Sequence, residues 1–269
     1  MDFENKVVVI TGASSGIGEA SAIQFAKKGA NIVLVARREE KLLSVEKKIS
    51  KFNVKTEICT CDVSQKLQVK KMAKTVFDKF GRIDILVNNA GFAIYGTVSD
   101  LSTEEIEAQM ETNYFGMVYC IKNFLPLMLE QNSGHIVNVA SVAASFGLPG
   151  MASYCASKFA MLGFSEGLQH ELQKTGVRVT VVSPIMVRTN FFDHPSFDTL
   201  PKYSPTSLSP EKVAKAVVKA ANSSRLEIIV PSVFRVAVWA KHTFPYFINP
   251  IIGSRFRKQI KNSKNSKQN

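Results

Sequence analysis

Short runs of apolar residues alternate along the chain with longer segments in which apolar residues recur every three or four positions. The short runs are rich in Val, Ile and Leu with few polar interruptions, which is typical of strands covered on both faces. The segments between them have helical periodicity and are long enough to form crossover helices. The predicted strands are residues 6–11, 31–36, 56–63, 83–88, 135–140, 178–183 and 226–230.

This alternation predicts the α/β fold class, as a single doubly wound Rossmann-type domain whose mostly parallel seven-stranded sheet carries helices on both faces. We assign residues 1–232 to this domain, 233–260 to an apolar and basic extension, and 261–269 to a disordered basic tail. The segment "RTNFFDHPSFDTLPKYSPTSL" is rich in aromatic residues and too long for a plain connection, so it is expected to form a binding loop or lid.

Local signals place two helix starts. Ser102 followed by Glu105 forms a capping-box pattern, and Ser209 followed by Pro210 predicts an N-cap with proline in the first turn.

Composition bounds the class of protein. The chain has 269 residues, of which 45% are hydrophobic and 21% charged, so a sizeable core can form. The acidic first residues do not resemble a signal peptide, and no long uncharged apolar stretch predicts a bilayer-spanning helix. The four cysteines lack metal-site spacing, so we expect no metal and reduced, mostly buried thiols at Cys59, Cys61, Cys120 and Cys155.

The net charge of +12 is unevenly distributed. Eight Lys or Arg residues and no acidic residue follow from Arg235 onward, which leaves +4 for the rest of the chain. Basic charge beside Trp239 and other apolar residues leaves three roles open for the extension: peripheral membrane contact, a subunit interface, or a cover over its own active site. No recognition module accompanies the charge, so nucleic-acid binding is not expected.

A glycine-rich turn, "TGASSGIG", follows the first predicted strand and opens the first helix. Gly12 permits a tight turn, Gly16 lets the backbone approach a pyrophosphate, and Gly18 permits close helix–sheet packing. The free N–H groups of the helix N-terminus would bind the anion. The sequence therefore predicts a dinucleotide site.

The residues after the second predicted strand bear on which dinucleotide is bound. An NAD site places an acidic residue there, whereas this chain has Ala36 followed by Arg37 and Arg38. Two guanidinium groups suit a 2′-phosphate, so NADP(H) is favoured over NAD(H). If the arginines are only solvated surface charge, an NAD(H)-preferring enzyme remains the alternative.

A tyrosine and a lysine four residues apart lie on one face of a predicted helix. The ammonium group of Lys158 could lower the pKa of Tyr154 and fit it for proton exchange with a substrate oxygen. Ser141, thirteen residues before the tyrosine, follows the fifth predicted strand at the sheet edge where open α/β sheets bind ligands. Its hydroxyl could hold that substrate oxygen.

With "NNAG" at 88–91 and "YCASK" at 154–158, the sequence resembles the short-chain dehydrogenases/reductases over roughly residues 4–232. The resemblance implies hydride transfer between a nicotinamide and a carbonyl or secondary alcohol. It assigns proton exchange to Tyr154, oxygen polarisation to Ser141, ribose binding to Lys158 and support of a proton-relay water to Asn113. It implies a cofactor site formed by Gly12, Ser14, Ser15, Gly16, Ile17, Gly18, Arg37, Arg38, Asp62, Val63, Asn89, Ala90, Gly91, Tyr154, Lys158, Pro184, Val187 and Thr189.

Within this resemblance, Asp62 meets the adenine amino group and Thr189 the carboxamide. The family's glycine after Pro184 is replaced by Ile185, so the resemblance does not extend to the shape of the adjoining substrate pocket.

Apolar residues at 92–94, 142–146 and 190–203 are the expected pocket lining, so the substrate is expected to be a small hydrophobic carbonyl or alcohol. The resemblance also suggests a homo-dimer or homo-tetramer. The reduced thiols favour a cytoplasmic location, with membrane-surface association if the extension binds lipid. A non-catalytic NADP-binding regulator is disfavoured because Tyr154 and Lys158 are both present. A serine hydrolase is disfavoured because no serine stands in a G-x-S-x-G elbow.

Overall fold

The computed structural model describes residues 3–198 and 203–254. Seven strands form one sheet in the order β3-β2-β1-β4-β5-β6-β7, and every neighbouring pair is parallel. All seven predicted strands are confirmed, as is the doubly wound α/β fold. The strands are β1 Val7–Thr11, β2 Asn31–Ala36, β3 Thr56–Thr60, β4 Ile85–Asn88, β5 Gly134–Val139, β6 Val177–Pro184 and β7 Glu227–Val230.

The third strand is shorter than the sequence predicts. It ends at Thr60 because the chain turns at Asp62, whose carboxylate accepts hydrogen bonds from the Ser64 backbone N–H at 3.0 Å and from its hydroxyl at 2.8 Å. This turn faces the same sheet edge as the glycine-rich turn after β1.

Helices cover both faces of the sheet. They are α1 Gly16–Ala26, α2 Glu39–Ile49, α3 Lys66–Phe80, α4 Thr103–Met110, α5 Gly116–Glu130, α6 Ala152–Glu171, α7 Pro210–Ala220 and α8 Phe234–Thr243, with a π-helical turn Glu111–Phe115 between α4 and α5. The buried side chains form two main layers. One layer includes residues of α1, α2 and α7, and the other includes residues of α3, α5 and α6.

The pattern of β1 shows why its residues are nearly all Val and Ile. Val8 and Ile10 belong to the first core layer, whereas Val7 and Val9 belong to the second, and each is at most 2% exposed. Both faces of the strand are therefore buried, so both sets of alternating positions must be apolar.

Both predicted helix starts are confirmed. The Ser102 hydroxyl accepts from the Glu105 backbone N–H at 3.2 Å, and the Glu105 carboxylate accepts from the Ser102 N–H at 2.9 Å. The Ser209 hydroxyl accepts from the Lys212 N–H at 3.3 Å at the start of α7. Each cap satisfies backbone donors that a helix leaves unpaired.

The extension begins after β7. It contains α8 and a further helical segment over 245–254, and no helix among the described residues is long and apolar enough to cross a membrane. The proposed boundary at residue 232 remains a prediction, and the expected disordered tail at 261–269 lies outside the described residues.

Candidate active site

The glycine-rich turn leads from β1 into α1 with backbone angles that favour glycine. Gly12 has φ +66° and Gly16 has φ +56°. A Cβ atom on Gly18 would lie 2.1 Å from the carbonyl oxygen of Gly12, so the helix can approach the strand this closely only without a side chain. Ser14 and Ser15 are half-buried, and Ser15 is the N-cap of α1 without a side-chain cap.

The loop after β4 braces this turn. The Asn89 amide donates to the carbonyl oxygens of Thr11 at 3.0 Å and Gly12 at 3.2 Å. The Thr11 hydroxyl accepts from the backbone N–H groups of Asn89 and Ala90, both at 3.0 Å. The "NNAG" sequence therefore fixes the shape of the turn from the neighbouring strand.

The turn fits a dinucleotide pyrophosphate. The N–H groups that open α1 have no side-chain cap, and the half-buried Ile17 packs against the first core layer behind them. A helix N-terminus with free donors and a tight glycine turn is the arrangement that binds phosphate oxygens. Gly12, Gly16 and the first turn of α1 would hold this group.

The ends of β2 and β3 would lie at the adenosine end of such a cofactor. Arg37 and Arg38 are exposed just beyond β2 and make no ion pair with the described residues. Asp62 follows β3. Val63 is 6% exposed, and a Cβ on Gly116 would lie 2.7 Å from its side chain. Val63 therefore packs against α5, and only its backbone can face a ligand.

Ser141 lies just past β5, at the carboxyl edge of the sheet. Its hydroxyl accepts from the Ala143 backbone N–H at 3.1 Å and donates to the Pro184 carbonyl at 3.4 Å. It thereby caps the 3-10 turn Val142–Ala144 and links the ends of β5 and β6. These contacts hold the hydroxyl beside Tyr154, with which it also hydrogen-bonds.

Tyr154 and Lys158 occupy the first two turns of α6 and are 8% and 3% exposed. The Lys158 ammonium lies 5.6 Å from the centre of the Tyr154 ring and donates to the Val139 carbonyl at 3.1 Å. Burial lowers the pKa of Lys158 to about 7. The structure thus brings Ser141, Tyr154 and Lys158 together at the carboxyl ends of β5 and β6.

The expected lowering of the Tyr154 pKa is wrong for this arrangement. Burial raises the pKa of the hydroxyl well above its ordinary value, and the hydrogen bond with Ser141 only partly opposes that rise. The ring of Phe191 packs edge-on against Tyr154 at 5.4 Å between centroids and helps to bury it. A lysine that is only partly charged near neutral pH offsets this burial weakly.

Asn113 lies in the π-helical turn and is completely buried. Its side-chain oxygen accepts from the Phe92 N–H, and its amide donates to the Phe92 carbonyl and the Ser157 hydroxyl, all at 2.9 Å. A Cβ on Gly91 would lie 2.9 Å from the Asn113 oxygen and 3.5 Å from the Lys158 nitrogen. Asn113 therefore ties the loop after β4 to α6, next to Lys158.

Pro184, Val187 and Thr189 lead from β6 toward the glycine-rich turn. Val187 is buried and forms a parallel bridge with Leu208, and a Cβ on Gly16 would lie 2.9 Å from the Thr189 methyl group. Ile185, which replaces the family's glycine, is 8% exposed and belongs to the first core layer. Its branched side chain is accommodated in the core.

An apolar cluster surrounds Tyr154. Its residues come from the loops after β4, β5 and β6 and from the start of α6, and each expected pocket segment contributes at least one of them. The backbone N–H of Tyr95 donates to the Ser196 hydroxyl at 2.9 Å, which joins the loop after β4 to the aromatic loop. The expected lining residues 199–202 lie outside the described residues. The cluster comprises Ala93, Tyr95, Ala143, Leu148, Met151, Tyr154, Cys155, Phe191, Phe192 and Phe197.

Four members of this cluster lie outside the expected lining segments and are not among the predicted site residues: Tyr95, Leu148, Met151 and Cys155. Tyr95 follows directly after the apolar residues that were singled out, so extending that segment by one position would have found it. Leu148 and Met151 lie between Ser141 and Tyr154, and no spacing rule distinguishes them from ordinary loop residues.

Comparison with known proteins identifies the family to which this chain belongs. A profile described as short chain dehydrogenase matches residues 6–196. The chain belongs to the short-chain dehydrogenase family. It is 38% identical over 217 residues to an uncharacterized oxidoreductase of Staphylococcus epidermidis, covering 81% of this chain and 91% of that protein. An uncharacterized oxidoreductase of Staphylococcus saprophyticus is 38% identical over 221 residues, with 82% and 92% covered.

Solved short-chain dehydrogenases share the fold. One from Burkholderia phymatum, in complex with NAD, has a TM-score of 0.83 and 28% identity over 92% of this chain and 96% of that one. A metagenomic short-chain oxidoreductase in complex with NADP has a TM-score of 0.73 and 31% identity, with 84% and 96% covered. This short-chain dehydrogenase is an oxidoreductase of the same class.

Proposed function

We propose that this short-chain dehydrogenase is an NADP(H)-dependent oxidoreductase that interconverts a small hydrophobic carbonyl compound and its secondary alcohol. The observation that carries the proposal is the convergence of Ser141, Tyr154 and Lys158 at the carboxyl edge of the sheet that bears the glycine-rich turn. Related structures contain NAD in one case and NADP in another, which supports a nicotinamide dinucleotide. Such a cofactor supplies or accepts the hydride.

The protein's own residues would manage the substrate oxygen and its proton. Ser141, fixed by Ala143 and Pro184, would hold the oxygen in place, and the Tyr154 hydroxyl would donate the proton during reduction. Lys158 would bind the nicotinamide ribose and supply positive charge near Tyr154. The apolar cluster would exclude water from this proton transfer.

Arg37 and Arg38 support the preference for NADP(H). Both guanidinium groups are exposed beside the expected adenosine ribose and have no ion-pair partner among the described residues. They are thus free to bind a 2′-phosphate in the bidentate geometry that arginine favours. We also propose a homo-dimer or homo-tetramer, on the strength of the family resemblance alone, and a cytoplasmic location because the four cysteines are free and buried.

The test is a panel of apolar aldehydes and ketones with NADPH, followed by nicotinamide absorbance, using wild type and Tyr154→Phe. We expect Tyr154→Phe to bind NADPH nearly as well as wild type and to lose turnover by about 10²–10⁴-fold, the usual contribution of a general acid. Near wild-type turnover by the variant would refute Tyr154 as the proton donor. NADPH binding without turnover of any substrate by the wild type would favour the non-catalytic alternative.

A further inference from the structure

An apolar surface that no other described residue covers lies on the extension, outside the region matched by the family profile. Val233, the N-cap of α8, is 67% exposed, and Val236 and Trp239 on the helix are 66% and 60% exposed. Their three-residue spacing places them along one side of the helix. α8 has no fully buried residue. It is thus an apolar helix that the rest of the described chain covers on one side only.

The following helical segment continues this surface. Tyr246, Phe247 and Ile251 are 90%, 76% and 64% exposed. The rings of Trp239 and Phe244 meet edge-on at 6.0 Å and connect the two segments. We call this surface the apolar face; it consists of Val233, Val236, Trp239, Phe244, Tyr246, Phe247 and Ile251.

The opposite side of α8 docks on the domain, so the orientation of the helix is set. Phe234 packs against the first core layer, and the Lys241 ammonium lies 5.6 Å from the centre of the Phe159 ring on α6. The apolar face therefore points away from the domain. α8, which carries the first part of the apolar face, therefore contacts α6, the helix that also carries Tyr154 and Lys158.

The sequence of the extension is also basic. From Arg235 onward the sequence has eight Lys or Arg residues and no acidic residue. Arg235 also lines a shallow cleft of about 400 Å³ together with Arg225, Leu226, Glu227 and Ile229. In that cleft the Glu227 carboxylate accepts a hydrogen bond from the Ser183 hydroxyl at 2.5 Å. Arg225 and Arg235 are both exposed.

We propose that the apolar face docks on the surface of an anionic lipid bilayer, to which the basic charge of the same sequence segment would also be attracted. Exposed Trp, Tyr and Phe side chains suit the interfacial zone of a membrane, and surrounding Lys and Arg residues are attracted to anionic headgroups. A second copy of this chain is a poorer occupant. A symmetric contact would bring two basic segments together with no acidic residue in either to offset their repulsion.

The chain contains a single tryptophan, Trp239, so its fluorescence reports directly on this surface. Full-length protein would be mixed with vesicles of phosphatidylcholine alone or with about 30% phosphatidylglycerol, and binding measured by emission wavelength and by co-sedimentation. The test variant is Tyr246→Ser with Phe247→Ser, which leaves the fluorophore in place. The matched control is Leu67→Ser, which removes a side chain that is 83% exposed on α3.

We expect a blue shift and co-sedimentation with anionic vesicles, weaker binding to neutral vesicles, and loss of binding as salt is added. The double variant should bind at least about tenfold more weakly, because interfacial binding scales with buried apolar area, whereas the Leu67 variant should match wild type. Absence of binding to anionic vesicles, or equal binding by the double variant, would overturn the proposal.

A third outcome would also overturn it. If wild type is a dimer by light scattering, the double variant is a monomer, and neither binds vesicles, the apolar face is an interface between copies. None of these readouts uses turnover, so the result is independent of the proposed reaction.

Discussion

The buried ammonium group of Lys158 should reduce the stability of the free protein. Burial lowers its pKa from 10.5 to about 7, so at neutral pH the unfolded chain binds more protons at this site than the folded one. Stability therefore rises with pH between the folded and unfolded pKa values. Relative to a neutral side chain of similar shape, the shift corresponds to a cost of about 4 kcal/mol at pH 7.

Lys158→Met removes this cost and keeps the volume of the side chain. It also removes the 3.1 Å hydrogen bond to the Val139 carbonyl. A lost hydrogen bond of this kind costs about 1 kcal/mol. We therefore expect the variant to be more stable than wild type by about 3 kcal/mol at pH 7. The gain should vanish near pH 9.5, where the cost of the charge falls to about 1 kcal/mol.

Urea unfolding without cofactor, at pH 7 and pH 9.5, measures this directly. Lys41→Met is the control, because it removes an exposed lysine from α2 and should leave stability nearly unchanged at both pH values. If Lys158→Met is no more stable than wild type at pH 7, or if its gain does not depend on pH, the assignment of a buried, destabilised ammonium is wrong.

Two further substitutions test the site. Gly18→Ala should destabilise the protein by about 1–3 kcal/mol and weaken NADPH binding, because the new methyl group would lie 2.1 Å from the Gly12 carbonyl. Urea unfolding and cofactor titration check this against Gly163→Ala in α6, where the added methyl group would meet no described atom within 4 Å apart from its chain neighbours and the backbone of its own helix. Equal behaviour of the two variants would contradict the packing argument. Phe191→Ala should lower the pKa of Tyr154, since burial is the main cause of its rise, and should move the alkaline limb of the pH–rate profile to lower pH. Phe192→Ala is the control, because it removes a neighbouring ring that packs on Phe191 and Phe197. An unchanged pH–rate profile for Phe191→Ala, or an equal shift in both variants, would refute the role of Phe191 in burying Tyr154.

The sheet could be predicted because local pattern alone determined it. Continuous Val and Ile runs such as β1 can be buried on both faces only in a covered parallel sheet. The glycine-rich turn was also readable, because positive φ at Gly12 and Gly16 demands glycine at fixed positions. The spacing of Tyr154 and Lys158 on one helix followed from helical periodicity.

What the sequence did not reveal depends on contacts between distant segments. The pKa of Tyr154 is governed by burial to which Phe191 contributes from another loop, so reasoning from its neighbour Lys158 gave the wrong direction. The sequence left open how Ile185 affects the substrate pocket, whereas in the structure its side chain packs in the core. Val63 likewise packs against Gly116, and no local sequence motif predicts this contact.

We propose that the glycine-rich turn and the arginines after β2 together bind NADP(H). Titration of the pure protein with NADPH and then NADH, followed by nicotinamide fluorescence, tests it most directly. We expect NADPH to bind at least about tenfold more tightly than NADH and Arg37→Ala with Arg38→Ala to remove this preference, since each charge-assisted phosphate contact contributes about 1.5–3 kcal/mol. Tighter binding of NADH, or binding of neither dinucleotide, would contradict it.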